Sequence, residues 1–197
     1  MKKNEEYIVT CIDDTDLNSG VVKIDDMVVF VPNLLIGEKA KIKIVKVNKK
    51  YAFGIIIQLL EPSINRQELT CEVAKTCGGC QLQHMKYAYQ LDYKYKHVKK
   101  LFEDIEVKPI LGMDSPWYYR NKAQFPVKIK DGKVQMGFYR QHSNDVVTCK
   151  ECKIQDHMIN KVFSFIQKHI TLEMSQDLRH VFIRHSSTDE IQVVFIG

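Results

Sequence analysis

The residues whose types and spacing point most directly to chemistry are cysteines. Cys71, Cys77 and Cys80 stand close together in the run CEVAKTCGGC, and Cys152 follows much later in CKECKIQ. Thiolates are soft ligands, so several of them on one short loop, completed by one from a distant segment, favour zinc or an iron–sulfur cluster. The two glycines between Cys77 and Cys80 lack a Cβ and would let the backbone turn tightly and approach the metal.

Two other interpretations of these cysteines are weaker. Free thiols buried as small hydrophobes are the better explanation for an isolated cysteine such as Cys11. Disulfides are disfavoured because the chain opens MKKNEEYIVT, without an apolar signal region, and contains no apolar run long enough for a membrane helix. We expect a cytoplasmic protein with no membrane partner, and in reducing cytosol cysteine groups bind metal more often than they form structural bridges.

Composition sets the outer limits. The 197 residues are 45% hydrophobic, which is enough for a buried core and one or two domains. The whole net charge of +5 arises in residues 63–160, a stretch that also contains most of the tyrosines. Cations meet phosphates and rings stack on bases, so this segment could bind nucleic acid. The charge alone is equally consistent with an ordinary solvated surface.

The first 62 residues predict a small β unit. YIVTCIDD, GVVKIDDMVVFVPN and EKAKIKIVKVNKKYAFGIIIQLL alternate β-branched and polar residues and are separated by turn signals. Short strands at this spacing suggest a barrel. The lysines of EKAKIKIVKVN give one strand a cationic face, which favours RNA contact over a merely solvated strand, because five-stranded oligonucleotide-binding barrels present such a face.

The remainder predicts two helices among antiparallel strands. The first helix lies within KYAYQLDYKYKHVKKLFEDI and the second near HMINKVFSFIQKHI, while Asp131 and Gly132 signal a hairpin. Two more strands flank residues 186–190. The overall fold class is therefore mainly β with helices, α+β. The predicted buried stripes are Leu91, Tyr95, Val98 and Phe102 on the first helix and Met158, Val162, Phe165 and Ile166 on the second.

Aromatic and basic residues coincide in WYYRNKAQFPVKIKDGKVQMGFYRQ, from residue 117 onward. Arg120, Lys122 and Arg140 could grip phosphates or base edges, and Gln124 could hydrogen-bond a base. Each could also be an ordinary surface residue. These four are the predicted RNA-binding residues.

The chain resembles the N-terminal part of the RNA uracil-5-methyltransferases that act on 23S ribosomal RNA. The resemblance rests on CEVAKTCGGCQLQH, then SPWYYRNKAQFPV, then the late cysteine in ECKIQ, and it covers almost the whole chain. It implies an OB-like TRAM β-barrel over residues 1–62 and an incomplete central domain over residues 63–197 that binds RNA and an iron–sulfur cluster. It places a [4Fe-4S] cluster on Cys71, Cys77, Cys80 and Cys152. Cys149 competes as the fourth ligand.

Family members also carry a C-terminal domain that binds S-adenosylmethionine and supplies a nucleophilic cysteine and a glutamate base. This chain has no G-x-G-x-x-G loop and no repeated βαβ pattern. We therefore expect a fragment with no catalytic residues and no S-adenosylmethionine site, inactive alone. It would be the monomeric RNA-recognition half, with a mainly structural cluster. The alternative is a free-standing RNA-binding module stabilised by zinc or an iron–sulfur site.

Overall fold

The first strands of the chain form one curled sheet in the computed structural model, which describes residues 1–102 and 104–197. The strands are β1 (Glu6–Thr10), β2 (Asp13–Asp14), β3 (Ser19–Ile24), β4 (Met27–Pro32), β5 (Lys39–Val47) and β6 (Tyr51–Glu61). Their order is β1-β5-β6-β4-β3-β2, and β4 and β6 make a parallel pair among antiparallel neighbours. Register shifts between β5 and β6 bend the long strands, and the inward side chains make an apolar core.

Helix α1 (Tyr87–Leu101) packs through a different face from the one predicted. Tyr93 is its buried residue, in a cluster with Leu35 and Met85, whereas Val98 and Phe102 are exposed. The Tyr93 hydroxyl donates to the Thr15 carbonyl and accepts from the Asn18 amide. A buried tyrosine needs such partners, and they come from β-sheet loops that the helical period alone does not reveal.

The strands after residue 120 form a second, antiparallel sheet. They are β7 (Lys122–Lys130), β8 (Lys133–Met136), β11 (His180–His185) and β12 (Ile191–Ile196), in the order β12-β11-β7-β8, while β9 (Phe138–Tyr139) pairs with β10 (Val146–Val147). Asp131 and Gly132 both have positive φ, 50° and 69°, between β7 and β8. The predicted hairpin is therefore confirmed, with the backbone that its Asp-Gly signal requires.

One face of this second sheet is covered by helix α2 (His157–His169). Ile159, Phe163 and Ile166 are its buried apolar residues, and the Phe163 ring stacks on Phe125 of β7 at 4.3 Å. The predicted stripe was correct for Ile166 and wrong for Phe165, which is 62% exposed. A short 3₁₀ turn, Glu173–Ser175, precedes β11.

The chain alternates between two compact units. The first unit contains Met1–Glu68 and Gln81–Leu111, and the second contains Leu69–Cys80 and Gly112–Gly197. The proposed boundary between residues 62 and 63 stays a prediction, but α1 belongs to the unit that holds the first sheet. In the described part of the chain, no helix combines the length and apolar character needed to cross a bilayer.

Candidate cysteine site and nucleic-acid interface

All four predicted ligand cysteines lie in the second unit. Cys71, Cys77 and Cys80 belong to the segment Leu69–Cys80, and Cys152 lies just before α2. Each is a half-buried free thiol. The fold therefore brings the early cysteine loop and the late cysteine into the same unit, although most of the intervening chain up to residue 111 belongs to the other.

The Cys77 loop is held by backbone hydrogen bonds to the segment after β9. The Gly78 N–H donates to the Tyr139 carbonyl at 2.9 Å, and the Gln141 N–H donates to the Thr76 carbonyl at 3.2 Å. A Cβ on Gly78 would lie 3.2 Å from that Tyr139 oxygen and 3.3 Å from the Gln141 nitrogen. Glycine at position 78 thus relieves crowding at this close backbone approach; it is not there for a positive φ, which Gly78 does not have.

The Cys152 loop is clamped by Asn160 of α2. The Asn160 side-chain oxygen accepts from the Cys152 N–H at 2.8 Å, and its Nδ2 donates to the carbonyls of Cys152 and Gln155, both at 3.0 Å. Asn160 is 9% exposed, so water cannot readily replace these bonds. Sequence reasoning missed this residue. The sequence offered one signal: Asn160 is an amide side chain among the buried apolar positions of α2, the helix that directly follows Cys152.

The segment before β7 runs beside the Cys152 loop. The Tyr118 N–H donates to the Lys153 carbonyl, the Arg120 N–H to the Ile154 carbonyl, and the Asp156 N–H to the Arg120 carbonyl, at 2.8 to 2.9 Å. The Tyr118 ring also stacks on His157 at 3.9 Å. These contacts fix Arg120 close enough to Cys80 for its positive charge to act on that thiol.

Burial dominates the electrostatics of the thiols. It raises the pKa of Cys80 to about 11, with the other three sulfurs acting in the same direction. Burial also raises the pKa of Cys77 and Cys152, against the Gly79 N–H at 3.4 Å from the Cys77 sulfur and the N–H groups of Ile154 and Gln155 at Cys152. At Cys77, Cys80 and Cys152 the neutral thiol is therefore favoured unless a cation compensates the thiolate charge.

Cys149 has a different environment. It is 7% exposed and packs in the apolar core beneath the second sheet, with Phe125 and Ile159 in the same cluster. Burial, followed by the neighbouring Cys152, raises its pKa to about 12.

The side chains themselves decide whether this site fits a metal. Among residues 1–102 and 104–197, no three His, Cys, Asp or Glu side chains are gathered closely enough to form a metal-binding group. The donor set nevertheless suits a soft metal, because four free thiols lie in one unit, influence one another electrostatically, and in two cases receive backbone N–H groups. The donor types of this site, but not the present spacing of their side chains, suit an iron–sulfur cluster or zinc.

The face of the second sheet opposite α2 carries exposed polar side chains. Because Ala123, Phe125 and Val127 point into the core, Lys122 and Gln124 lie on the opposite face of β7. Lys122 is paired with Arg184 of β11 and Gln124 with Phe182. Sequence reasoning missed Arg184 and Phe182, since only the β7–β11 register brings them alongside the predicted residues.

The four predicted RNA-binding residues thus occupy two places. Lys122 and Gln124 share the outer face of β7. Arg120 lies beside the Cys152 loop, and Arg140 follows β9 in an antiparallel bridge with Cys77. All four are exposed. The arrangement could meet a polyanion with the sheet face and with the rim of the cysteine loops.

Comparison with known proteins finds a TRAM domain and similarity to RNA methyltransferases. Residues 3–57 match the TRAM domain model. The chain is 40% identical over 213 residues to an uncharacterized RNA methyltransferase of Halalkalibacterium halodurans, and 36% identical over 211 residues to one of Clostridium tetani. In both cases the match covers 100% of this chain and 46% of the relative. The chain therefore spans about half the length of these relatives.

One solved structure has a similar fold across most of the chain. The crystal structure of the Pyrococcus abyssi tRNA (uracil-54, C5)-methyltransferase, in complex with S-adenosyl-L-homocysteine, superposes with a TM-score of 0.62 at 24% sequence identity. The match covers 95% of this chain and 45% of that protein. This likeness supports the mainly β fold with two helices.

Proposed function

Because the chain belongs, as an N-terminal portion, to the family of RNA methyltransferases with a TRAM domain, we propose that it is the RNA-recognition half of such an enzyme. The whole protein would be cytoplasmic and would transfer a methyl group from S-adenosylmethionine to C5 of a uridine in 23S ribosomal RNA. The chain itself would act as a monomer that binds and orients the RNA and supplies no catalytic residue. The observation that carries this proposal is the similarity to RNA methyltransferases along its entire length.

The RNA contact is assigned to two surfaces. In the second unit it would use the outer face of β7 and β11, where Lys122 and Arg184 would meet phosphates while Gln124 reaches a base edge. Arg120 and Arg140 would extend this contact along the cysteine loops. In the first unit the TRAM sheet would act as an OB-like oligonucleotide-binding surface.

Cys71, Cys77, Cys80 and Cys152 would hold a [4Fe-4S] cluster. When bound, the cluster would link the early cysteine loop to the Cys152 loop through metal–thiolate bonds. Its role would be structural, because methyl transfer involves no net electron transfer and so requires no redox chemistry. This chain's own residues prepare the site. Asn160 fixes the Cys152 backbone, and Gly78 lets the Cys77 loop approach residues 139–141.

Cys152 is preferred to Cys149 as the fourth ligand because of its surroundings. Cys152 is half-buried and receives two backbone N–H groups that favour its thiolate form. Cys149 contributes to the apolar core, and turning its sulfur towards a metal would leave a gap in the core cluster that it shares with Phe125 and Ile159.

Metal analysis of the purified chain tests the cluster. Protein prepared anaerobically should contain iron and acid-labile sulfide in nearly equal amounts, with a broad brown absorbance band. Cys71→Ser and Cys152→Ser should lose both, whereas the control Cys149→Ala should keep them. Stoichiometric zinc without sulfide would replace the iron–sulfur assignment by a zinc-stapled binding module. Loss of iron in Cys149→Ala but not in Cys152→Ser would reverse the fourth ligand.

RNA binding tests the recognition role. The affinity for a 23S ribosomal RNA fragment, measured as a function of salt, should fall in Lys122→Ala and Arg184→Ala, with the salt slope reduced by about one unit for each phosphate that is no longer neutralised. Lys161→Ala is the control, because Lys161 is exposed on α2, which covers the other face of the sheet. No RNA binding by the unmodified chain would refute the proposed function.

A further inference from the structure

Three aromatic rings form a cluster on the first sheet, outside its core. Phe30 of β4 lies 5.8 Å from Tyr51 and 5.9 Å from Phe53 of β6, and the Tyr51 and Phe53 rings are 5.5 Å apart, measured between centroids. Each ring therefore touches the other two. Edge and tilted ring contacts of this kind each contribute about 0.5 to 1.5 kcal/mol beyond the area that they bury.

The strand alternation places these rings on the outer face. Their neighbours Val29, Ala52 and Gly54 point inwards and are buried, so residues 30, 51 and 53 point away from the core. None of the three rings belongs to the buried core clusters, and Tyr51 is 40% exposed. Phe30 and Phe53 are half-buried, so the three rings form one contiguous, partly exposed apolar patch, and a patch rimmed by polar residues is of the kind that marks interaction sites.

Lysines flank the triad on both sides. Across the sheet, Phe53 is paired with Lys46 of β5, and Tyr51 is paired with Val28, which is in turn paired with Lys23 of β3. The turn directly before Tyr51 adds the exposed Lys49 and Lys50. Lys23 makes a long, exposed ion pair with Asp26 at 3.9 Å, and Lys46 makes none among the described residues.

We infer that the Phe30–Tyr51–Phe53 triad is a base-stacking platform for single-stranded RNA, with Lys46, Lys49 and Lys50 holding the phosphates beside it. The inference rests on the proposed function and names the part of the first unit that contacts the RNA. Rings bordered by cations suit a single strand, because unpaired bases expose their faces while the backbone carries the negative charge. Paired bases in a duplex are already stacked and could not use the rings.

The experiment measures the affinity of the chain for a fluorescein-labelled, unstructured RNA of about 12 nucleotides by anisotropy, at several salt concentrations. Tyr51→Ala and Tyr51→Leu should each weaken binding by roughly fivefold to a hundredfold, the loss expected for one stacked base, with an unchanged salt slope. Tyr51→Phe, which keeps the ring, should bind within about twofold of the unmodified chain. Lys46→Ala should instead lower the salt slope by about 0.7, the value for one phosphate of a single strand.

Controls separate stacking from folding and from the second unit. Leu17→Ala removes an exposed apolar side chain in the same unit and should leave the affinity unchanged. A duplex RNA of equal length should show no difference between Tyr51→Leu and the unmodified chain. If the unmodified chain binds single-stranded RNA and Tyr51→Leu, folded by circular dichroism, binds equally well, the platform is refuted and the proposed function survives. If the unmodified chain binds no RNA, both fail.

Discussion

The clamp that Asn160 forms on the Cys152 loop can be tested by removing its side chain. Asn160→Ala deletes three hydrogen bonds and leaves the Cys152 N–H and the carbonyls of Cys152 and Gln155 without that partner. A hydrogen bond contributes about 0.5 to 1.5 kcal/mol net, and the side chain is 9% exposed, so little water can take its place. The free energy of unfolding of the second unit should therefore fall by about 3 kcal/mol.

The assay uses the sole tryptophan of the chain. Trp117 belongs to the second unit, next to Tyr118, whose N–H donates to Lys153 in the Cys152 loop. Urea unfolding followed by tryptophan fluorescence should show a midpoint lowered by about 1 to 3 M, for a typical denaturant slope of about 1 to 3 kcal/mol/M. Both proteins are compared anaerobically at equal metal content, so that a difference in loading does not enter.

Two further variants make the result specific. Asn160→Asp keeps an acceptor for the Cys152 N–H but loses both donated bonds and places a carboxylate beside two carbonyl oxygens, so it should be at least as unstable as Asn160→Ala. Lys161→Ala, on the exposed side of the same helix, should change stability by less than about 0.5 kcal/mol. A midpoint for Asn160→Ala equal to that of Lys161→Ala would show that the three bonds contribute nothing.

Three other substitutions give separate tests. Burial alone would raise the pKa of Glu38, but Arg66 at 2.5 Å and two backbone N–H groups outweigh burial and hold this pKa below its usual value. The Glu38 carboxylate therefore stabilises the first unit above pH 4.5, and this stabilisation is lost as the pH falls through the lower folded pKa. Glu38→Ala should cost about 3 kcal/mol in thermal or urea unfolding at neutral pH, because it leaves Arg66 unpaired, and should flatten the acid dependence. Hydrogen bonds to Asp189, at 2.9 Å, and to Asp156, at 2.8 Å, raise the pKa of His185 in the folded state. The protonated ring therefore contributes fully to the free energy of unfolding below pH 6.5, and this contribution is lost as the pH rises through the raised folded-state pKa. His185→Gln should remove this loss of stability with rising pH. If the melting temperature of the variant depends on pH as it does in the unmodified chain, His185 does not form stabilising ion pairs with the two aspartates. Gly78→Ala should destabilise the second unit by about 1 to 3 kcal/mol, because the added Cβ would contact backbone atoms. Gly79→Ala should destabilise it less, because the Cβ added there would contact only the Cys77 sulfur, at 3.4 Å.

Local signals in the sequence predicted the elements well. The β7–β8 hairpin follows from two residues, because Asp131 and Gly132 adopt the positive φ that links tightly paired strands. The two final strands around residues 186–190 are confirmed as β11 and β12. Each of these features depends on neighbours within a few residues, and for that reason it is visible in the sequence.

Features that depend on packing were not predictable in the same way. The buried face of α1 is set by Tyr93, whose hydroxyl forms hydrogen bonds with the backbone of Thr15 and Asn18, which lie far away in the chain. The partnership of Lys122 with Arg184 depends on the β7–β11 register, which no local pattern specifies. Asn160 is a polar residue whose value appears only when the Cys152 loop is folded against it.

The path of the chain explains why a link through the cysteines would stabilise the second unit without any redox role. The segment Leu69–Cys80 belongs to that unit, yet the residues directly before and after it belong to the other. Among the described residues, the hydrogen bonds that tie it to the rest of its unit include the two made by the Gly78 and Gln141 N–H groups and one in which the Glu72 carboxylate accepts from the Lys150 N–H at 2.8 Å. Joining Cys80 to Cys152 closes a loop of about 70 residues, and the entropy removed from the unfolded chain corresponds to about 4 kcal/mol. The proposed link would thus add a contribution comparable to that of these three bonds together, at about 1 kcal/mol each, and would do so without redox chemistry.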